Sequence, residues 1–324
     1  MPALYPLRFE PIFRRYIWGG RRLATVLDKS IGSESDYAES WEVVDHHSEN
    51  SRVAAGPLGG SSLNEIVGRF GAELFGSQPP LARFPLLFKF LDANAPLSVQ
   101  VHPNDAQAAR LSPSDAGKTE AWIILTAEPG SVIYAGLKRG FGRAALEREI
   151  ARGTVELCLN RFEPKAGDCI LLPAGTLHAI GAGLLIAEIQ QSSDTTYRLF
   201  DWNRVGPDGN PRPLHVREAL DVIDFERGPI APTVPMPTDR QYVTRLTACD
   251  KFVVDRCEIA LPREIAGDGR FHILSVIEGS VTVDGDPSGR PLPMGETILL
   301  PAAAGPVRFE PTPPKAVLLD IYLP

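Results

Sequence analysis

Two well-separated stretches of the chain are written almost alike. "GDCILLPAG" (167–175) returns as "GETILLPAA" (295–303), and "IILTAEPGSVIYAG" (123–136) returns as "HILSVIEGSVTVDG" (272–285). Each copy reads apolar strand, tight turn at glycine, second strand, then glycine, acid, apolar run and proline. A chain that carries this phrase twice is constrained to build two β units of similar plan. Between the copies lies "GPIAPTVPMPTD" (228–239), too rich in proline for a regular element and therefore the expected linker. It divides the chain into an N-terminal unit, 1–227, and a C-terminal unit, 240–324.

The punctuation elsewhere agrees. Thirty prolines and 29 glycines in 324 residues cut the apolar runs short, which predicts many brief strands. Candidates are "LLFKFLDA" (86–93), "LSVQVH" (97–102), "AWIILTA" (121–127), "SVIYAGL" (131–137), "CILLPA" (169–174), "LIAEIQQ" (185–191), "FHILSVIEG" (271–279) and "AVLLDIYL" (316–323). Helical periodicity is confined to 61–76, 142–153 and 213–225. The repeated phrase resembles the double-strand signature of cupin β-barrels. The expected fold is thus mainly β, with two cupin-like jelly-roll units and a few peripheral helices.

Composition narrows the partners. A net charge of −7 argues against nucleic acid or an anionic membrane as the main partner, while leaving room for a phosphorylated small molecule in a locally basic pocket. No stretch has the apolar length of a signal peptide core or a membrane span. Cys158, Cys169, Cys249 and Cys257 are scattered without a CxxC, which fits a reducing cytoplasm and argues against cysteine-ligated zinc. A cytoplasmic monomer or small homo-oligomer is expected.

The repeat also acts as an internal control. The first copy places His178 five residues after Pro173, whereas the second has Pro306 at the matching place and no "QxH" before it. The barrel phrase can therefore be written without these polar residues. In "LSVQVHPND" (97–105), alternation puts Ser98, Gln100 and His102 on one strand face, the last two about 7 Å apart at Cα. Glu120 opens the next strand candidate, and His178 follows a buried one. A lone strand histidine is more often hydrogen-bonded than ligating. Together, two imidazoles, a carboxylate and an amide oxygen suit a borderline cation such as Zn²⁺ and leave positions for substrate. The C-terminal unit is expected to carry no metal ligands. His46 and His47 in "VVDHHSEN" are adjacent, so on a strand they point to opposite faces and read as rim residues; His215 and His272 read as structural. Lys89, inside an apolar strand, needs an anion or a pocket. Lys118, Arg198 and Glu188 complete a set able to bind phosphate beside a metal.

With these residues the chain resembles the type I mannose-6-phosphate isomerases, in their short bacterial form. The resemblance rests on "IWGGRRL" (17–23), "AESWEVVDHH" (38–47), "FPLLFKFLDANAPLSVQVHPND" (84–105), "GKTEAWIIL" (117–125) and "PAGTLHAIGAGLLIAEIQQSSDTTYRLFDWNR" (173–204). It implies a cupin enzyme with one zinc per chain that interconverts mannose 6-phosphate and fructose 6-phosphate. The family's metal ligands fall on Gln100, His102, Glu120 and His178. Its active-site arginine falls on Arg198 and its pocket lysines on Lys118 and Lys89, while Trp18, Glu42, Ser98 and Glu188 lie in pocket-lining motifs. The chain lacks the large helical insertion of longer members, and its "GKTE" replaces their "HKPE".

The chemistry implied is proton transfer between C2 and C1 of the open-chain sugar through an enediol(ate). Lys118 and Glu188 both remain candidates for the base. Lys118 is favoured, because positive charge from a metal and Arg198 eases loss of its proton, while the same field keeps Glu188 ionised and weakly basic. Arg198 is expected on transition-state charge or on phosphate. Two rival readings stand beside this one: a non-catalytic sugar-binding or regulatory cupin, and a cupin enzyme of other chemistry using iron.

Overall fold

The computed structural model describes residues 4–47, 49–79, 81–111, 115–205 and 209–324. Its first unit is built from β1 (Ile12–Gly20), β2 (Tyr37–Val43), β3 (Leu86–Ala93), β4 (Val99–Val101), β5 (Glu120–Ala127), β6 (Ile133–Leu137), β7 (Leu159–Phe162), β8 (Cys169–Leu172), β9 (His178–Ile180), β10 (Leu184–Gln191) and β11 (Tyr197–Phe200). Six of these form a sheet in the order β8-β5-β10-β3-β2-β1, and five form its partner in the order β7-β6-β9-β4-β11. The fold is mainly β with cupin-like units, as the repeated phrase predicts.

Strands β3, β5 and β10 are apolar on both faces, yet a period of two still sorts their side chains. Leu86, Phe88 and Phe90, with Ala121, Ile123, Leu185, Ala187 and Ile189, enter a core shared with the second unit. Leu91, Ala93, Trp122, Ile124, Leu184 and Ile186 face the interior of the first barrel instead. Aromatic packing ties the units together: the Phe84 and Phe271 rings lie 4.8 Å apart, and Phe75 lies 6.0 Å from Phe271. Burial of each such ring contributes roughly 1.5–3 kcal/mol.

Phe75 ends the Leu63–Phe75 helix, which buries Leu63, Ile66, Val67, Phe70 and Leu74 along one stripe. A capping box fixes its start: Ser62 accepts from the Glu65 N–H, and the Glu65 carboxylate accepts from the Ser62 N–H. Another cap opens a helix that the sequence analysis did not read. Asn104 and Gln107 exchange side-chain-to-backbone bonds of 2.9 Å, so the break after His102 opens a helix, Asp105–Leu111. The helix expected over 213–225 is shorter, Val216–Val222.

The N-terminus crosses to the second unit. Leu7–Glu10 pairs with Thr297–Leu300, Leu7 opposite Leu299, and with Arg52–Val53, so both segments join the second unit's eight-stranded sheet. The segment 228–239 is fastened to both units. Ile230 N–H bonds Ala135 O, Thr233 N–H bonds Cys169 O, and the Thr233 hydroxyl donates to Leu246 O. Its end forms a short strand, Met236–Pro237, a regular element that its proline content argued against. Among the described residues no helix is long and apolar enough to cross a membrane.

The second barrel interior is filled by aliphatic residues such as Leu274, Val276, Ile298 and Leu318. At one end His272 is clasped between Asp320 (2.7 Å from Nδ1) and Asp268 (3.1 Å from Nε2). Arg245, Asp255 and Tyr322 border the same cavity of about 200 Å³.

Candidate metal centre and active site

Strand register assembles the centre. The antiparallel pairing of β9 with β4 sets His178 opposite Gln100, and that of β11 with β4 sets Arg198 on Gln100's other side. Glu120 opens β5 with Leu172 and Gln190 as its neighbours. His102 lies one residue past β4, where Pro103 ends the strand.

These residues converge in a buried place. His102, Glu120 and His178 are each at most 2 % exposed, and their ligating atoms lie within 4.8 Å of one another. His102 Nε2 is 3.5 Å from Glu120 Oε2, and His178 Nε2 is 3.4 Å from Glu120 Oε1. The other ring nitrogens are held by carbonyls, His102 Nδ1 by Thr195 O (2.8 Å) and His178 Nδ1 by Thr176 O (2.9 Å). Each Nδ1 therefore carries the proton, and each Nε2 turns a lone pair towards the carboxylate. Neither Glu120 oxygen accepts a hydrogen bond, although Lys118 Nζ stands 3.0 Å from Oε2 as an ion pair. Lys118 offsets Oε2, but Oε1 faces the His178 lone pair with neither a proton nor a cation between them, an unfavourable arrangement unless a further cation sits there. The donor set therefore fits a borderline divalent metal. Gln100 Oε1 accepts from Ser98 while its amide nitrogen faces His178 Nε2 at 3.5 Å; a half-turn of the amide presents the oxygen that ligation requires.

The electrostatics agree. Burial, followed by the Lys118 and His178 charges, pushes the His102 imidazole well below its ordinary pKa, and burial lowers that of His178 against the opposing pull of Glu120. Burial alone would raise Glu120, but the charges of Lys118 and His178 outweigh it and hold its carboxyl below the usual range. All three are thus in their ligating forms at neutral pH.

Beside this centre opens a cavity of about 320 Å³, lined by Trp18, Lys89, Ser98, Gln100, Lys118, Glu188 and Arg198. One cross-strand row runs beneath it: Trp41 pairs with Lys89, Lys89 with Glu188, and Glu188 with Trp122, the last three residues of the row lining the cavity. Lys89 Nζ lies 3.2 Å from Glu39 and 3.3 Å from Glu188. Burial opposes its charge, but those two carboxylates outweigh burial and raise its pKa above the ordinary value. Trp122 Nε1 donates to Glu188 Oε2, leaving buried Oε1 without a hydrogen bond. Lys118 Nζ is 3.8 Å from that oxygen, which also pairs with Lys89, and 3.4 Å from His102 Nε2. Arg198 donates to Pro213 O while its buried Nε has no partner, and burial with the nearby Arg212 charge lowers its pKa.

Glu42 does not join this set. It pairs with Lys29 at 2.7 Å and accepts from Ser40, in a separate cleft against the second unit. The reason is strand parity: Glu39 and Trp41 share the cavity face of β2, and Ser40 and Glu42 share the other. Among the lining residues that the sequence reading missed, Tyr16, Glu39, Asp194 and Arg212 bring ionisable groups to the cavity. Glu39 was within reach, since it has the parity opposite to Glu42. Asp194 and Arg212 come from irregular segments, where no periodicity marks an inward side chain.

Comparison with known proteins gives matches along nearly the whole chain. Residues 7–126 match the family model "Phosphomannose isomerase type I, catalytic domain", and residues 242–312 match "Mannose-6-phosphate isomerase, cupin domain". The chain is 36% identical to mannose-6-phosphate isomerase ManA of Bacillus subtilis (strain 168) over 94% of this chain and 96% of that protein. It is 34% identical to the mannose-6-phosphate isomerase of Streptococcus mutans serotype c over 91% and 92% of the two chains. The crystal structure of the Bacillus subtilis mannose 6-phosphate isomerase superposes with a TM-score of 0.89 at 32% identity, covering 99% of this chain and all of that one. A mannose 6-phosphate isomerase structure bound with zinc and yttrium shares the fold, with a TM-score of 0.77 at 18% identity over 99% and 100% of the chains.

Proposed function

This chain belongs to the type I mannose-6-phosphate isomerase family and is an isomerase, and we propose that it interconverts mannose 6-phosphate and fructose 6-phosphate at one catalytic zinc ion per chain. Gln100, His102, Glu120 and His178 would hold the ion. The observation that carries this reading is the buried Glu120 carboxylate, without a hydrogen bond, facing two imidazole lone pairs. Zinc so held supplies a Lewis acid that lowers the cost of negative charge on the sugar's reacting oxygens.

The protein's own residues do the rest. Lys118 moves a proton between C2 and C1 of the open-chain sugar, through an enediol(ate), from a position bordering both the metal ligands and Glu188. Glu188 is held in one rotamer by Trp122 and neutralised by Lys89, so it orders the lysines rather than taking the proton itself. Arg198 has a guanidinium nitrogen without a partner, and it meets the phosphate or the charge that develops in the transition state. Trp18, stacked on Tyr16 with centroids 5.5 Å apart, gives the sugar an aromatic wall. Ser98 borders the Gln100 amide, and its hydroxyl oxygen can accept from the amide nitrogen once the amide oxygen turns to the ion.

The test is a coupled assay of mannose 6-phosphate turnover on protein freed of metal by chelation and then given Zn²⁺ or Fe²⁺. Turnover restored by zinc supports the proposal. Metal-loaded protein without turnover makes the chain a binder, and restoration by iron alone changes the cofactor.

A further inference from the structure

The sequence reading separated His46 from His47 because neighbours on a strand point to opposite faces. The backbone undoes that argument. His46 ends the short Asp45–His46 strand, and His47 then adopts a left-handed conformation, with φ at 45°. Only a few per cent of residues other than glycine do so, histidine among the more frequent. The turn swings the second imidazole back to the side of the first, with ring centroids 4.2 Å apart and planes at 73°. Asp115 approaches from another loop, its Oδ1 3.2 Å from His46 Nε2. One ligating atom from each of the three residues lies within 4.8 Å of the others. Among the described residues, the only other group with this property is His102, Glu120 and His178.

From this juxtaposition we propose that His46, His47 and Asp115 form a second divalent-cation site, for a borderline metal such as Zn²⁺, Co²⁺ or Ni²⁺. Two imidazoles and one carboxylate are the donors such ions prefer, whereas Mg²⁺ and Ca²⁺ favour oxygen alone. The site is half built before metal arrives. Asp115 Oδ2 accepts from the Thr195 hydroxyl (2.7 Å) and the Asp194 N–H (3.1 Å), and Oδ1 accepts from the Ala116 N–H (2.9 Å). Burial works against the charge of Asp115, but the hydrogen bonds from His46, Thr195 and those backbone groups outweigh it, so the carboxyl is held well below its ordinary range and stays anionic. His46 is buried and fixed, and exposed His47 leaves the remaining coordination positions open to water. Metal entry needs only that the His46 Nε2 facing Oδ1 present its lone pair, the ring proton being carried on Nδ1, since Oδ1 keeps a lone pair beside its backbone donor.

Zn²⁺ titration of chelator-stripped full-length protein, followed by calorimetry and metal analysis, tests this inference. Wild type is expected to take up two equivalents. Glu120→Gln should remove the tighter one and spare the weaker; His47→Ala should remove the weaker one, with kcat unchanged. Wild type that takes up a single equivalent, His47→Ala protein that still takes up two, or Glu120→Gln protein that takes up none would overturn the second site. The two variants dissect the sites separately, so failure here leaves the reading of the first site untouched.

Discussion

Lys118 Nζ stands 3.0 Å from Glu120 Oε2, so the group proposed to move the proton touches a residue proposed to hold the metal. The contact is legible as an i, i+2 pair on one extended segment, with Thr119 turned away so that its hydroxyl oxygen accepts from the Ala174 N–H in the neighbouring loop.

Lys118→Met should retain bound zinc and a KM within a few fold of wild type, while kcat falls by roughly 10²–10⁴, the usual range for loss of a proton-transfer group. Glu188→Gln should lose less, because Trp122 and Lys89 remain to order the pocket. Steady-state kinetics on both variants, with zinc content measured in parallel, decide the assignment. Near-normal turnover of zinc-loaded Lys118→Met would end it.

The acid limb of metal retention follows from the two imidazoles. Burial holds His102 and His178 below the ordinary value of 6.5, so in the folded protein both stay neutral as pH falls through that value. Zinc binding should therefore show no step near pH 6.5 and weaken only in stronger acid. The metal-free protein should lose stability as pH drops below 6.5, since the unfolded chain binds those protons first. Chelator competition and thermal unfolding of stripped protein between pH 5 and 8 check both statements. A zinc-release midpoint at the ordinary imidazole value would contradict them.

Glu42 and Glu39 should separate on the bench as they do on the strand. Glu42→Gln leaves the buried Lys29 ammonium without its anion, which should destabilise the fold by roughly 3 kcal/mol with KM unchanged. Glu39→Gln removes one of the two carboxylates on Lys89 and should show itself in catalysis. Thermal melts and kinetics on the pair provide the check. A Glu42→Gln enzyme with raised KM and unaltered melting would return Glu42 to the substrate pocket.

In the second unit, burial lowers the His272 pKa, but Asp320 and Asp268 outweigh burial and raise it to about 9. A pKa raised on folding stabilises fully below the unfolded value near 6.5, and that stability is lost as pH climbs through 9. The melting temperature of wild type should therefore decline across this interval. His272→Asn should flatten the profile, and an unchanged slope in that variant would remove His272 as its cause. The ring packs against Tyr322, centroids 4.8 Å apart, in a cluster with Arg245 and Asp255.

The division between sequence and structure runs along the range of the forces involved. Local rules carried the repeated barrel phrase, the helical periodicity over 61–76, and the alternation that grouped Ser98, Gln100 and His102, because each depends on residues a few positions apart. The ligand-free second copy singled out His178 by contrast alone. Parity errors began where one face had to be chosen over another: β2 carries acids on both faces, and only its pairing with β3 brings Glu39, not Glu42, to Lys89.

Only the tertiary structure set Gln100 between His178 and Arg198, since strand register is fixed by hydrogen bonds between segments far apart in the chain. It also gave Leu7–Glu10 to the second unit's sheet, drew Asp194 and Arg212 into the cavity, and turned His47 back upon His46. A side-chain period can announce which residues share a face, but what that face meets depends on loop backbones and pairings that no local period encodes.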